Sequence, residues 1–170
     1  MNSLPALDSA SFDAHLPFAV EPLPDGQCPS RLERQTRLAL QVMAAPTETP
    51  EDANPLLQRL EAKIDLALEM ALLGQHPERP PLTHCRLGLN AIAWQSPEPY
   101  PVGSCVQVSL CPNPDSALLL YLAARIQRCK QNGAGGYQLS ASLDGSLDDA
   151  THRLWERWVF RRHRRAINGY

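Results

Sequence analysis

The stretch LTHCRLGLNAIAWQSPEPYPVGSCVQVSL, residues 82–110, decides the fold class of this 170-residue chain. Two segments of strand length, with partial alternation between apolar and polar residues, flank a turn rich in proline and ending in glycine. This pattern is typical of antiparallel β-strands. Similar segments follow at 117–129 and 136–143. The region 80–145 is therefore predicted to hold the strands of an antiparallel sheet or a small β-barrel.

A further strand is predicted in the N-terminal region, residues 1–29. Within it, residues 14–23 read AHLPFAVEPL, partly alternate between apolar and polar side chains, and are bounded by prolines. That pattern is typical of a short edge strand, because proline cannot donate a hydrogen bond to a neighbouring strand. The barrel is expected to contain about five or six strands in all.

Residues 30–75 change to helical periodicity and predict a helical pair inserted into the barrel sequence. The first helix has Ser30 at its N-cap and continues for about four turns. Its apolar side is expected to contain Leu32, Leu38, Val42 and, less regularly, Leu40 and Met43. The second helix has Asn54 at its N-cap and ends at Gly74, two residue types that favour helix boundaries.

The second helix, residues 54–74, carries more apolar residues than one packing face requires. Some of them follow the three-four spacing of heptad a and d positions, which is typical of helices that pack on a second helix. These residues are Leu57, Leu60, Ile64, Ala67 and Ala71. We expect one side of the helix to contact its own subunit and another side to contact a sister chain. The alternative is that the whole stripe covers the core of one subunit.

Residues 146–168 predict a C-terminal helix that closes one side of the barrel. Ser146 or Asp148 can cap its first turn, and arginines crowd its last turns in accord with the helix dipole. The face expected to dock on the sheet consists of Leu147, Ala150, Leu154, Trp155, Trp158 and Val159.

The basic end of that helix is the strongest local charge feature of the sequence. Its arginines are Arg157, Arg161, Arg162, Arg164 and Arg165. Such a run is usually a solvated helix end that complements the dipole. It can also contact an acidic partner protein, so these five residues are candidate contacts for an anionic partner. Because the formal net charge is -2 and no stacking aromatics are interleaved beyond the tryptophans expected in the core, a nucleic-acid partner is disfavoured.

Residue patterns that carry catalysis or bind metals are missing from the sequence. The histidines at positions 15, 76, 84, 152 and 163 show no metal-ligand spacing. The neighbours His84 and Cys85 would point to opposite faces of a strand, which makes them a poor base and thiol pair. The glycines of QNGAGGY, residues 131–137, lie between predicted strands and indicate a hairpin, since a phosphate loop precedes a helix. We expect no enzyme activity, no catalytic residue, no cofactor and no metal.

The cellular location is inferred from the N-terminus and from the cysteines. Asp8, Asp13 and His15 lie where a signal peptide would be apolar, and no run approaches the roughly 18 apolar residues of a membrane-spanning helix. Five cysteines form no Cys-x-x-Cys pair and are expected to be reduced thiols. We expect a cytoplasmic protein with no membrane insertion.

Residues 86–103, RLGLNAIAWQSPEPYPVG, resemble the PilZ family, whose members have Asp-x-Ser-x-x-Gly, an apolar strand, a proline-containing turn and Val-Gly in this order. The likeness continues through the later strands to a final helix that ends in Trp-Val-Phe-Arg-Arg, and it covers residues 80–165. The resemblance implies a mainly β fold with helices. This fold is a PilZ-like antiparallel β-barrel with a C-terminal helix, to which this chain adds the long helical pair.

The nucleotide-binding motif of that family is degenerate in this sequence. Members that bind cyclic di-GMP use an Arg-x-x-x-Arg segment ahead of the first strand, together with the Asp-x-Ser-x-x-Gly strand. Here the Asp, Ser and Gly positions are Arg86, Gly88 and Ala91, and the first arginine of the chain, Arg31, follows the predicted first strand. The resemblance therefore implies a PilZ scaffold without canonical cyclic di-GMP binding.

Atypical PilZ members with long inserted helices that assemble as tetramers resemble this chain in residues 30–75. The resemblance implies a non-enzymatic bacterial signalling scaffold that self-associates through its heptad helix. A tetramer is favoured over a dimer, and the regulatory protein partner is unknown. The alternative is a receptor that binds cyclic di-GMP or another nucleotide at a non-canonical site that uses arginines of the final helix.

Overall fold

The computed structural model describes residues 4–44, 54–75, 78–133 and 135–168. Its strands are β1 Ser11–Pro22, β2 Leu82–Gly88, β3 Ala91–Ser96, β4 Cys105–Leu110, β5 Leu120–Gln131 and β6 Tyr137–Ser142. Its helices are α1 Ser30–Ala44, α2 Pro55–Gln75 and α3 Asp149–Asn168. The strands form a closed antiparallel barrel in the order β1-β2-β3-β6-β5-β4. The predicted barrel with inserted helices and a C-terminal helix is confirmed.

The first strand is longer than predicted, and it is not an edge strand. Its first half, from Ser11 to Pro17, pairs with β2, and its second half, from Phe18 to Pro22, pairs with β4. Pro17 lies where β1 changes from one neighbour to the other. A proline is tolerated at that point because, where β1 changes its neighbour, neither adjacent strand requires a hydrogen bond from the backbone N–H that proline lacks. The proline was therefore a misleading sign of an edge.

Residues 82–95, which had the pattern of one long segment, form a hairpin of two strands joined at Leu89 and Asn90. The turn lets both strands send alternate apolar residues into one core. Trp94 of β3 is almost fully buried there. The neighbouring strands contribute Val106, Val108, Leu110, Leu120, Leu122 and Ile126 to the same cluster.

The first helix packs on the barrel through only part of the predicted face: Leu40 is buried, and Leu32 and Met43 are partly buried against the core clusters. Thr36, Ala39 and Leu40 are its buried residues, whereas Leu38 and Val42 are 51% and 55% exposed. The Thr36 hydroxyl donates to the Tyr121 carbonyl at 2.9 Å and accepts from the Tyr121 N–H at 2.8 Å. This pair of buried hydrogen bonds to β5 turns a threonine inward, which apolar periodicity alone does not anticipate.

The predicted C-cap glycine of α2, Gly74, lies inside the last turn of the helix rather than beyond it. At the other end of α2, the Asn54 side chain accepts from the Leu56 N–H at 2.9 Å, as an N-cap does. The linker between α1 and α2, residues 45–53, and the histidine at 76 lie outside the described residues. Within the described part of the chain, we find no helix that is both long and apolar enough to cross a membrane.

The C-terminal helix begins at an aspartate cap and docks on the barrel through tryptophans. Asp148, rather than Ser146, caps it by accepting from the N–H groups of Ala150 and Thr151 at 3.0 and 2.9 Å. Of the predicted face, Trp155, Trp158 and Val159 are buried, and Leu147 and Leu154 are partly buried. Ala150 is exposed because contact with the sheet begins one residue later, at the buried Thr151.

Candidate functional site

The most conspicuous surface feature is the apolar side of α2. Leu72 is its buried residue, and no side chain of residues 54–68 is buried. The predicted heptad positions Leu57, Leu60 and Ile64 are 56%, 52% and 58% exposed, and Ala67 and Ala71 are exposed as well. Further large apolar residues beside them are Leu56, Leu66 and Met70. A contiguous apolar surface of this kind marks an interaction site, because isolated exposed apolar residues are common but long rows are not.

A carboxylate near the C-terminal end holds α2 to the rest of the molecule. Glu69 accepts from the Ala117 N–H at 2.5 Å and from the Ser116 hydroxyl at 3.0 Å. Arg79, which follows the helix, approaches Glu69 to 3.9 Å. Together with buried Leu72, these contacts anchor the last turns of the helix to the 112–118 loop. The more N-terminal turns are thereby left free to present their apolar residues to another surface.

The barrel face that carries the degenerate motif positions is covered by the N-terminal segment. Arg86 makes a two-point ion pair with Asp13 at 2.5 and 2.9 Å, and it also donates to the carbonyls of Leu4 and Pro5. The hydrogen bond to Arg86 lowers the pKa of the Asp13 carboxyl, and the same bond raises the pKa of Arg86. The charge at the first motif position is therefore matched within the chain.

The second motif position lies under the same segment. A Cβ at Gly88 would approach Leu7 Cδ1 to 2.9 Å and the Ser9 hydroxyl to 3.1 Å. The third position, Ala91, starts β3 and pairs with Ser142. At the first two motif positions this chain has an ion-paired arginine and a glycine that has no room for a side chain beside Leu7 and Ser9.

The basic run of α3 divides into two groups. Arg157 and Arg164 are exposed and line no cleft that the structure describes. Arg162 donates to the Pro112 carbonyl at 3.2 Å and lies 6.0 Å from the centre of the Trp158 ring, and burial and nearby Arg165 lower its pKa. Arg161 donates to the Met43 carbonyl at 3.0 Å.

Two clefts of 650 and 380 Å³ share the side chains of Arg162 and Arg165. The larger lies between α3 and β1, and the smaller lies between α3, the end of α1 and the 112–118 loop, with Arg161 on its wall. We call these two clefts together the arginine groove, with Arg161, Arg162 and Arg165 as its cationic residues.

Among the residues that the structure describes, no group of three or more His, Cys, Asp or Glu side chains is arranged to hold a metal ion. Burial raises the pKa of the Cys85 thiol to about 12, and neighbouring His84 is exposed on the other face of β2. A thiol with so high a pKa is a poor nucleophile at neutral pH.

Three residues whose contacts position these elements were not identified as important from the sequence: Asp13, Glu69 and Thr36. Each acts through a partner at least 47 residues away along the chain. The sequence carries no local signal for such pairs. Period-two alternation places Asp13 on the outer face of β1, but it does not say which strand, and hence which arginine, lies beside it.

Comparison of the sequence with family models and with curated proteins finds no match. The structure is similar to that of a pathogenic protein from Xanthomonas campestris, described as a new tetrameric PilZ domain self-assembled via an unusual helical bundle. The TM-score is 0.76 at 24% sequence identity, and the likeness covers 96% of this chain and 90% of the other. It confirms the expected PilZ-like fold, including the region of the inserted helices.

Proposed function

We propose that this chain, on the fold of a tetrameric PilZ domain, is a non-enzymatic regulatory scaffold that assembles with copies of itself and acts through protein–protein contacts. The observation that carries the proposal is the apolar side of α2, which has no cover within its own subunit along residues 54–68. Burial of each large apolar side chain contributes on the order of 1.5 to 3 kcal/mol. Association of α2 with α2 of sister chains supplies that burial.

The dimensions of α2 suit this role. Its 21 residues correspond to about 30 Å of helix, enough for three heptads. The heptad positions Leu57, Leu60, Ile64, Ala67 and Ala71 form one continuous row in this assembly. A tetramer is favoured over a dimer because the similar Xanthomonas campestris protein is described as a tetramer built on a helical bundle.

The scaffold acts without canonical cyclic di-GMP binding in this proposal. Two observations support that view: the ion pair of Arg86 with Asp13, and the lack of room for a side chain at Gly88 beside Leu7 and Ser9. A ligand at this face would have to displace residues 4–9 and leave the carboxylate of Asp13 without its partner. Because the pair is partly exposed, breaking it costs at most about 1 kcal/mol, in addition to the displacement of the segment.

The proposed location is the cytoplasm of a bacterium. Its support comes from the cysteines, all five of which are free thiols. Reduced thiols at buried positions such as Cys28, Cys85 and Cys111 are typical of proteins kept in a reducing compartment.

Light scattering on the purified protein, over a range of concentrations, tests the assembly. We expect a mass near four times the 18.8 kDa of one chain. A mass of two chains would contradict the tetramer and support self-association, whereas a single-chain mass at all concentrations would contradict the scaffold proposal as a whole.

A further inference from the structure

The arginine groove differs from a helix end whose charges merely complement the dipole. Side chains that serve the dipole contact the last carbonyls of their own helix. Here Arg161 and Arg162 reach sideways to the carbonyls of Met43 and Pro112, on other parts of the fold. Instead of closing the end of α3, these arginines form the walls of a concave surface between α3, the end of α1 and the 112–118 loop.

The cationic residues of the groove have no carboxylate partner in the part of the chain that the structure describes. Among the described residues, neither Arg161 nor Arg162 nor Arg165 has a carboxylate within 4.0 Å. Asp13 lines the larger cleft, but its two oxygens are engaged by Arg86, and the two oxygens of Glu69 near the smaller cleft are engaged by Ser116 and Ala117. The guanidiniums of the groove each keep several N–H donors for an external acceptor.

The rest of the groove is open and mostly apolar. Leu118, the 55% exposed Val42 and Trp158, on which Arg162 lies, line the smaller cleft together with the polar Asn113 and Ser116. Phe12 and Leu16 line the larger cleft together with Asp13 and His15. An enclosed pocket with converging donors would suit a small anion. An open apolar trough flanked by guanidiniums suits an extended peptide, because arginine beside aromatic residues is typical of protein interfaces.

We propose that the arginine groove binds an acidic segment of a partner protein, in which an apolar side chain lies between carboxylates. The apolar side chain contacts Val42 and Leu118, and the carboxylates accept from Arg161, Arg162 and Arg165. This proposal deepens the scaffold function by giving the chemistry of its partner. It involves no residue of α2, so self-association and groove binding fail independently.

The test is fluorescence anisotropy with a labelled peptide of about ten residues, in which glutamates flank a leucine and a phenylalanine. The comparison peptide has glutamine at each glutamate. We expect the acidic peptide to bind the full-length protein at low salt and the glutamine peptide to bind at least about tenfold more weakly. Equal binding of both peptides, or binding of neither, overturns the proposal.

Two double variants distinguish specific binding in the groove from general attraction of the peptide to positive charge. The groove variant is Arg161→Gln with Arg165→Gln, and the matched control is Arg157→Gln with Arg164→Gln, which removes two exposed arginines from the same helix. We expect about tenfold weaker binding for the groove variant and less than about threefold for the control. Equal losses would show nonspecific attraction and overturn the proposal.

Three further measurements complete the test: peptide binding by the single variant Arg165→Gln, displacement of the peptide by pyrophosphate, and the mass of each variant. Arg165→Gln alone removes a side chain that makes no hydrogen bond to the described protein, so a weaker complex for this folded variant cannot arise from misfolding. Displacement of the peptide by micromolar inorganic pyrophosphate would assign the groove to phosphate ligands and overturn the peptide proposal. Light scattering on each variant should give the same mass as the parent assembly.

Discussion

Asp13 and Arg86 occupy directly paired positions of β1 and β2, and their side chains form a two-point ion pair across the barrel surface with distances of 2.5 and 2.9 Å. The same guanidinium holds the Leu4 and Pro5 carbonyls at 3.3 and 3.0 Å. One arginine therefore joins the N-terminal segment, the first strand and the second strand. This arginine stands at the first position of the degenerate motif, and its side chain is held by contacts within the chain.

Restoring the motif residues should not restore nucleotide binding. The double variant Arg86→Asp with Gly88→Ser places a second carboxylate opposite Asp13 and a side chain against Leu7. It also lacks the paired arginines that hold the phosphates in binding members. We expect titration calorimetry with cyclic di-GMP to give millimolar affinity or weaker for this variant. Micromolar binding would contradict this prediction and favour a receptor that already uses another arginine.

The Asp13 and Arg86 pair should make stability depend on pH in the acid range. In the folded state the pKa of Asp13 is lowered from 3.8, mainly by its hydrogen bond to Arg86. The contribution of the ion pair to the free energy of unfolding is therefore complete above pH 3.8, and it is lost as the pH falls through the lowered pKa. Because Asp13 is partly exposed, we expect Asp13→Asn to lower the free energy of unfolding by no more than about 1 kcal/mol at pH 7.

Urea denaturation at a series of pH values checks this pH dependence. The difference between wild type and Asp13→Asn should shrink below pH 3.8. A suitable control is Asp25→Asn, at an exposed turn residue. A constant difference between wild type and Asp13→Asn from pH 7 down to acid would show that the ion pair does not cause it.

A charge in the middle of the apolar side of α2 should dissociate the assembly. Ile64→Glu places a carboxylate at the central heptad position, and burying it unpaired in a helix interface costs several kcal/mol. The barrel should remain folded, because Ile64 is 58% exposed and contributes nothing to the core cluster. We expect a lower mass by light scattering and a near-UV circular dichroism spectrum like that of the parent.

The matched control for that variant is Val102→Glu, because Val102 is 65% exposed and lies in the turn before β4. This variant should keep the mass of the parent protein. If Ile64→Glu also keeps the parent mass, the apolar side of α2 is not the assembly surface.

Loss of the Thr36 hydroxyl should destabilise the docking of α1. Thr36→Val keeps the shape of the side chain and removes both buried hydrogen bonds to the Tyr121 backbone, at a cost of about 1 to 3 kcal/mol. Urea denaturation measures the change, and Thr36→Ser, which keeps the hydroxyl, should lose less. An unchanged free energy of unfolding for Thr36→Val would show that water replaces the hydroxyl without cost.

The sequence by itself determined the existence of three helices and the apolar excess of α2. It also determined the type and order of the elements in the second half of the chain, except that β2 and β3 read as one segment. These features follow from periodicity and from boundary residues such as Asn54 and Pro55, which act over a few neighbouring residues. The loss of the carboxylate and hydroxyl at positions 86 and 88 was also readable, because it needs only the identity of the residues.

Tertiary structure alone decided which face of α1 is buried, which neighbours β1 has, and what Arg86 contacts. Apolar periodicity correctly included Leu40, but it also favoured Leu38 and Val42, which are exposed. It left out the polar Thr36, which turns inward because it meets the backbone of Tyr121, 85 residues away. Asp13 and Arg86 are likewise 73 residues apart and meet only through strand register. The arginine groove arises in the same way, because its walls come from α1, β1 and the 112–118 loop, and their arrangement depends on the packing of the whole barrel.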